Sequence, residues 1–295
     1  MFRALLPLLF GIALLAGRSA AADETYALKA YQSKKGDKIE HEMTKDEKTS
    51  VVVTFGDKEN KNEVTASSKD SYTEEILEKG AGAKRATKLV RVYTASEKTE
   101  KGKTTKAAYI GQPVLIEKKG DQYEISVKGK PLTEAEAPDL FKKFNKKRDE
   151  EPQNEDFLPV KPVRVGESWT VPADKSEQMF KTLGDDQMRV DAKKSSITGK
   201  LLKAYKKDGA QFGVLELTFT IVVTDLDLGG KLAKTTAGSK MVMKGTVDTC
   251  IDGTVPFEES KFEVTVDIGA DLPNGGSLTI NTKSNGIEKV RAFKK

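Results

Sequence analysis

The sequence predicts a mainly β protein with two short helices, in which a large twisted antiparallel sheet or an open half-barrel packs on helices from the middle of the chain. Three observations support this prediction. Apolar and polar residues alternate along many segments, residues typical of tight turns separate those segments, and two mid-chain segments carry apolar residues at helical spacing.

The alternating segments have the period of two that is typical of half-buried strands. Their apolar members are Tyr26, Leu28 and Ala30; Val51, Val53 and Phe55; Leu89, Val90 and Val92; Ile110, Val114 and Ile116; and Tyr123, Ile125 and Val127. A longer apolar run from Phe212 to Val223 predicts a well-buried strand. Several candidates exceed ten residues and keep Lys, Glu, Thr and Ser at their outer positions. This pattern favours one large sheet with one face exposed to solvent.

Turn residues lie between these strand candidates. Gly next to Asn or Asp accepts the positive φ that tight hairpins require. Such pairs occur at Gly36-Asp37, Gly120-Asp121, Asp208-Gly209, Asp252-Gly253 and Asn274-Gly275. Short connections of this kind predict antiparallel strands.

Two capping patterns predict the helices. Thr133 and Glu136 form a capping box ahead of an apolar stripe of Leu140, Phe141 and Phe144. Asp174 and Glu177 repeat the arrangement in a shorter segment. Its apolar residues are Met179, Phe180 and Leu183, and Gly184 is placed to close the helix.

The segment 150–162 is rich in acidic residues and carries Pro152, Pro159 and Pro162, which excludes a helix or a central strand. We interpret it as an extended crossover. The chain from 23 to 295 is then either a single β-rich domain or two halves, 23–150 and 163–295, joined by this crossover.

Residues 1–22 have the pattern of a signal peptide. Arg3 precedes an apolar run from Ala4 to Gly17, which is shorter than the roughly 20 residues of a membrane-spanning helix. Small residues end the segment, so we expect cleavage after Ala22. This predicts a secreted or periplasmic bacterial protein.

Cys250 is the one cysteine of the chain. Since no cysteine follows the predicted cleavage site, the sequence offers no residue for a lipid anchor, and we expect no stable membrane anchor. Cys250 has no partner for an intrachain disulfide. We expect a buried, inert thiol in a strand, with pairing between chains as the alternative.

The charge balance is too small to define a partner. The net charge of +5 falls to +3 once Arg3 and Arg18 leave with the signal peptide. The stretch from Lys79 to Lys106 is basic, but its charges alternate with Thr, Val and Ala, as on a solvated strand face. With no nucleic-acid reading motif beside it, we expect no nucleic-acid partner.

His41 is the single histidine, so catalytic triads and two-histidine metal sites are unavailable. We interpret it as an exposed strand residue between Glu40 and Glu42. The stretch Gly166-Glu167-Ser168-Trp169 lacks the second glycine of a nucleophile elbow, so it predicts a turn into a strand, with Trp169 and Val171 facing the core.

One segment partly matches a calcium-binding loop. Asp248, Asp252, Gly253 and Glu259 fall at suitable positions, but Cys250 occupies a ligand position and is a poor ligand for calcium. We therefore interpret the segment as a hairpin turn with an exposed Glu258 and Glu259, and we expect no metal and no cofactor.

Paired carboxylates are the remaining candidates for catalytic residues. Asp185 with Asp186, or Asp225 with Asp227, are of the type used in glycoside hydrolysis. Acidic pairs are common in so charged a chain, and few aromatic residues are present to bind sugar rings. We assign no catalytic residue.

The stretch Val165-Gly166-Glu167-Ser168-Trp169-Thr170-Val171, together with Thr249-Cys250-Ile251-Asp252-Gly253, resembles a group of secreted bacterial proteins of unknown function. The order of strands, mid-chain helices and further strands is also similar to the half-barrels of exported lipoprotein carriers. The resemblance implies an envelope protein and carries no site residues.

Three functions follow as expectations. The first is non-enzymatic binding or interaction, with an envelope protein or another partner. The second is a carrier that holds an apolar ligand or acyl chain in a half-barrel cavity, with one of the two helices as plug or lid; it requires an apolar cavity of about 300 Å³ or more. The third is a hydrolase, which requires two carboxylates converging in a cleft.

Overall fold

The structure is a computed structural model, and it describes residues 24–145, 153–183, 188–272 and 275–294. The predicted signal peptide and its cleavage site lie outside the described residues. So do Gly184, Asp185 and Asp186, and the first residues of the predicted crossover.

Strands dominate the described chain. They are β1 Thr25–Tyr26, β2 Lys38–Phe55, β3 Lys58–Glu78, β4 Lys88–Glu100, β5 Lys103–Lys106, β6 Pro113–Lys119, β7 Gln122–Val127, β8 Lys130–Pro131, β9 Val163–Arg164, β10 Ser168–Thr170, β11 Met188–Val190, β12 Ser196–Lys207, β13 Ala210–Asp227, β14 Leu232–Lys234, β15 Lys240–Cys250, β16 Phe257–Asp271 and β17 Ser277–Ala292. The helices are α1 Pro138–Asn145 and α2 Ala173–Leu183, and a 3₁₀ turn spans Asn154–Phe157.

Fifteen of these strands form one antiparallel sheet within the described residues. Its order is β10-β12-β13-β15-β16-β17-β2-β3-β4-β6-β7-β8, with β5 beside β4 and with β11 and β14 beside β13. The last long strand, β17, pairs with the first, β2, over their whole lengths. Because β10 and β8 lie at opposite ends of this order, the sheet is open. The predicted fold class is confirmed.

Several of the predicted tight turns join neighbouring strands, whereas Gly36-Asp37 lies between β1 and β2, which belong to different sheets, and Asn274 lies outside the described residues. Lys119 pairs with Gln122, which leaves Gly120-Asp121 as the turn between β6 and β7. Lys207 pairs with Ala210, and both Asp208 and Gly209 have the positive φ expected there, 51° and 82°. The sequence analysis missed the turn Gly56-Asp57, which joins the two long strands β2 and β3.

Helix α1 begins later than its capping pattern predicts. The Thr133 amide and hydroxyl both donate to Glu136 Oε2, at 2.7 and 2.8 Å, inside a turn that precedes the helix. Because the Thr133 hydroxyl donates to Glu136, it does not cap the helix, and the pair stabilises the preceding turn instead. The helix starts at Pro138, and proline is favoured at a first helical position.

Helix α2 and the crossover also differ from expectation. Asp174 lies inside the first turn of α2, where its negative charge favours the helix start, and is not the residue before it. The crossover contains the 3₁₀ turn Asn154–Phe157. Trp169 fixes that turn by donating its Nε1–H to the Phe157 carbonyl at 2.8 Å. The predicted core role of Trp169 is confirmed, since it packs in two buried clusters.

Both helices cover the same side of the sheet, which we call the inner face. Leu140 of α1 packs with Ile116, and Phe180 of α2 packs with Phe219. The strand register carries this face across the whole sheet, through His41, Tyr72 and their neighbours. The inner face is therefore the place where the long strands and the helices enclose space.

Candidate functional site

A polar cluster lies on the inner face, where β2, β3 and β4 run side by side. His41 of β2 is directly opposite Tyr72 of β3, and Tyr72 is opposite Tyr93 of β4. Glu74 and Arg91 form the next pair along the same two strands. These five side chains alternate with outward residues, so the sheet itself brings them together.

Arg91 is buried, with 5% of its surface exposed. Its Nε and Nη2 donate to Glu74 Oε2 at 2.8 and 2.7 Å, and its Nη1 donates to the Tyr93 hydroxyl at 3.3 Å. Burial favours the protonated form of Glu74, but the guanidinium holds the pKa of that carboxyl below its usual value. The expectation that the basic stretch is a solvated strand face is wrong at Arg91.

Aromatic rings enclose the Arg91 guanidinium. Its central carbon lies 4.4 Å from the ring centre of Tyr72 and 4.8 Å from that of Phe144, which reaches in from α1. The row of rings continues from Tyr72 to Tyr93 and Tyr109, with centres 4.9 and 5.1 Å apart. Helix α1 thus closes over the charged pair through cation–π contacts.

His41 stacks on Tyr72 with ring centres 4.7 Å apart. Its Nε2 atom is buried and has no hydrogen-bond partner in the described residues. Burial lowers the pKa of His41 to about 4, so the ring is neutral at pH 7. The expectation of an exposed His41 is wrong, because the register of β2 turns position 41 inward and its acidic neighbours outward.

A cavity of about 880 Å³ lies between this polar cluster and helix α1. Arg91, Tyr93 and Tyr109 form its sheet side, while Leu140 and Lys143 face it from the helix. Burial raises the pKa of Tyr109 to about 12, so its hydroxyl remains protonated at pH 7. The cavity therefore offers hydroxyl groups beside an already neutralised ion pair.

A second cavity, of about 370 Å³, adjoins the first on the inner face. The side chains around it are mostly apolar and come from β13, β15 and the segments before β2 and β9. They include Leu28, Phe157, Leu215, Leu217, Val247 and Ile251. Its size falls within the range of small-molecule sites, about 300–1,000 Å³.

The two cavities share His41 and Glu288 in their walls. Glu258 faces the apolar cavity from β16, beside Glu288 on β17. Burial and the Glu288 charge raise the pKa of Glu258 to about 7. The expectation that Glu258 is exposed is wrong, because Glu258 lies on the inner face of β16.

The residues of the calcium-loop pattern lie in a strand-turn-strand, in which Asp248 of β15 is directly opposite Glu259 of β16 and Asp252 is in the turn. Asp248 accepts the Tyr205 hydroxyl at 2.8 Å, and Glu259 pairs with Arg291. Asp252 accepts from the Gln211 amide and the Thr254 hydroxyl at 2.7 and 2.6 Å. Asp252 therefore organises the turn. Across the described chain no three His, Cys, Asp or Glu side chains are grouped to hold a metal.

Cys250 is 1% exposed, and its thiol donates to Asp252 Oδ1 at 3.0 Å. It packs with Phe212 in a small cluster. The prediction of a buried thiol in a strand is confirmed.

Of the carboxylate pairs named from the sequence, Asp225 with Asp227 does not line either cavity, and Asp185 with Asp186 lies outside the described residues. Asp225 and Asp227 lie on β13 next to β11 and β14, and the Gly230 amide donates to Asp227. The acidic pair that does face a cavity is Glu258 with Glu288. These residues are 30 positions apart, so their sequence positions alone do not indicate that they meet. Strand alternation does indicate it, because Glu258 is on the same face of β16 as Phe262, and Glu288 is on the same face of β17 as Gly286, the partner of Phe262.

Among the described residues, no helix has the length and apolar character needed to cross a membrane.

Comparison with known proteins yields little similarity. No protein family model and no curated protein sequence matches the chain. Among solved structures, one that matches is an outer membrane channel from Pseudomonas putida F1, at 11% identity and a TM-score of 0.21, covering 90% of this chain and 98% of that chain. So low a score carries no argument, and the resemblance to secreted bacterial proteins stays a prediction.

Proposed function

We propose that the chain is a non-enzymatic binding protein of the bacterial envelope that carries an apolar ligand on the inner face of its sheet. The observation that supports this most is the apolar cavity of about 370 Å³, which meets the size that a carrier requires. It lies beside a larger cavity, so a ligand that extends from one into the other has room for a polar end.

Helix α1 is the lid in this proposal. Leu140 and Lys143 face the larger cavity, whereas Phe180 of α2 is fully buried and packs with Ile197. In this role α1 opens by giving up the contact of Leu140 with Ile116. Helix α2 instead acts as a fixed plug at the other end of the sheet.

The test uses N-phenyl-1-naphthylamine, a neutral apolar probe whose fluorescence rises on binding. Val247→Trp fills the apolar cavity from β15, and we expect at least a tenfold loss of probe affinity, about 1.4 kcal/mol. Thr246→Trp is the matched control, because Thr246 is the next residue and is exposed on the opposite face. Equal binding by both variants would refute the proposed site.

Native mass spectrometry of protein purified from its own cells tests the carrier function directly. We expect a bound apolar molecule at one per chain that solvent extraction releases. A bare chain from every fraction, together with failure to bind the probe, would contradict the proposal. The same measurement checks export, because a mature chain that begins at Asp23 has lost residues 1–22.

The proposed function includes the expectation that the protein has no enzymatic activity. The Glu258–Glu288 pair is the feature that a carboxylate-dependent hydrolase would use, and both side chains face a cavity. Against this role, the wall around the pair is mostly apolar. We expect no turnover of glycoside or ester substrates, and turnover lost in Glu288→Gln would overturn that expectation.

A further inference from the structure

Two carboxyl groups face the apolar cavity without a partner. Ser260 pairs with Glu288 and Val290 pairs with Glu258, so the two glutamates are diagonal neighbours on adjacent strands. Diagonal neighbours lie about 7–8 Å apart at Cα, within reach of long side chains. In the part of the chain that the structure describes, neither carboxyl forms a hydrogen bond or ion pair.

The cations on α1 and on the neighbouring strands make their direct contacts with other groups. Arg91 binds Glu74, and Lys143 donates to the Tyr72 hydroxyl at 3.4 Å. On the opposite face of the sheet, Lys289 pairs with Glu42 and Arg291 pairs with Glu259. Lys29 borders the cavity, but its side chain is exposed. Glu258 and Glu288 therefore face the apolar cavity with no cation bonded directly to either carboxyl in the described residues.

His41 adds a second unpaired group on the same wall. Its buried Nε2 has no hydrogen-bond partner among the described residues, and its ring borders both cavities. A buried polar atom that stays unpaired costs free energy, which a ligand with a hydrogen-bond donor can recover. An ammonium group has three such donors and a positive charge.

We propose that the ligand is a cationic amphiphile, with its alkyl chain in the apolar cavity and its ammonium group between Glu258, Glu288 and His41. This inference rests on the proposed function and names the ligand class of the same site. Charge complementarity selects the class. A carboxylate at this position would face two acidic side chains, whereas an ammonium can bond directly to carboxyls that have no cation in contact with them.

The test compares three ligands with the same ten-carbon chain: decylammonium, decanoate and decanol. Each is titrated calorimetrically into the full mature chain at pH 8, below the concentration at which it forms micelles. This pH lies above the raised pKa of Glu258, so that carboxyl is mostly ionised. We expect decylammonium to bind at least tenfold more tightly than decanoate, with decanol between them, and with one site per chain.

Glu288→Gln and Glu258→Gln test the role of the two carboxyls. Each should lower decylammonium affinity about tenfold and leave decanol affinity within about twofold, because only the charge is removed. Glu263→Gln is the matched control: Glu263 lies on β16 but is exposed on the opposite face, and we expect no change. Thermal unfolding establishes that each variant is folded before titration.

The outcomes separate this inference from the proposed function. If decanoate binds as tightly as decylammonium, or if both glutamine variants keep the preference for decylammonium, the inference is wrong and the carrier function stands. If none of the three ligands binds, and the neutral probe does not bind either, the proposed function itself fails.

Discussion

Arg91 and Glu74 form a buried ion pair across β3 and β4, in which Nε and Nη2 of one guanidinium both donate to Oε2 of the carboxylate. Only 6% and 12% of the two side chains are exposed. Such a pair is costly to break, because removing either partner leaves the other charge buried alone.

Arg91→Met should therefore destabilise the protein by about 3–5 kcal/mol, measured by urea unfolding. The double variant Arg91→Met with Glu74→Leu should regain most of this loss, because it removes both charges together. Lys38→Met is the control. Lys38 pairs with Glu75 at the surface, with 43% and 40% of the side chains exposed, so its loss should cost less than about 1 kcal/mol. Equal losses at both sites would contradict the buried pair.

His41 should stay neutral far below the usual histidine pKa. We expect its imidazole to titrate near pH 4 in the folded protein, as followed by proton NMR of the ring. An unfolded histidine takes up its proton near pH 6.5, so the unfolded state binds more protons between these values. Stability should then fall as the pH is lowered from about 6.5 to about 4, by roughly 3 kcal/mol from this residue.

His41→Phe keeps a ring on Tyr72 and removes the titration. Glu258 contributes the opposite slope, because its raised pKa makes stability fall as the pH rises from about 4.5 to about 7. The comparison is therefore made between wild type and variant over the same pH range. If the two curves run parallel, His41 is not protected from protonation by the fold.

The Phe262 ring occupies the space over Gly286 on the inner face of the neighbouring strand. The two residues are directly paired, and a Cβ at position 286 would overlap the Phe262 ring. Gly286→Ala should therefore destabilise the protein by about 1–3 kcal/mol in thermal or urea unfolding.

A double-mutant cycle checks the cause. In the Phe262→Ala background the ring is absent, so adding Gly286→Ala should cost little, and the coupling between the two sites should be of order 1 kcal/mol. Additive losses would mean that Gly286 is needed for its backbone and not for the ring above it.

Cys250 should be unreactive in the folded protein. It is fully enclosed by the outer-face cluster of Phe212 and its neighbours, so a maleimide reagent has no path to the thiol. We expect labelling only at the rate of unfolding, and complete labelling in urea. Rapid labelling of the native chain, or a disulfide-linked dimer on a non-reducing gel, would contradict this prediction.

The sequence by itself determined the mainly β class and several hairpins, but not the pairing of β17 with β2, which joins the two ends of the chain into one sheet. Alternation and turn residues are local signals, and short turns such as Asp208-Gly209 leave antiparallel pairing as the one solution. The same local signals located both helices, although α1 begins at Pro138 because Glu136 closes the preceding turn instead of capping the helix.

Only the tertiary structure decided which polar residues face inward. Near Arg91 both faces of β4 carry apolar residues. Leu89 is on the face of Arg91, and Val90 and Val92 are on the other face, so the sequence does not indicate which face is buried. The answer depends on Glu74 and Tyr72, which reach Arg91 through pairing between strands. The same holds for Glu258 and Glu288, since a one-residue change of register would turn every such side chain outward. Local sequence patterns therefore determined the strands and hairpins, and long-range strand pairing determined which side chains meet at the candidate site.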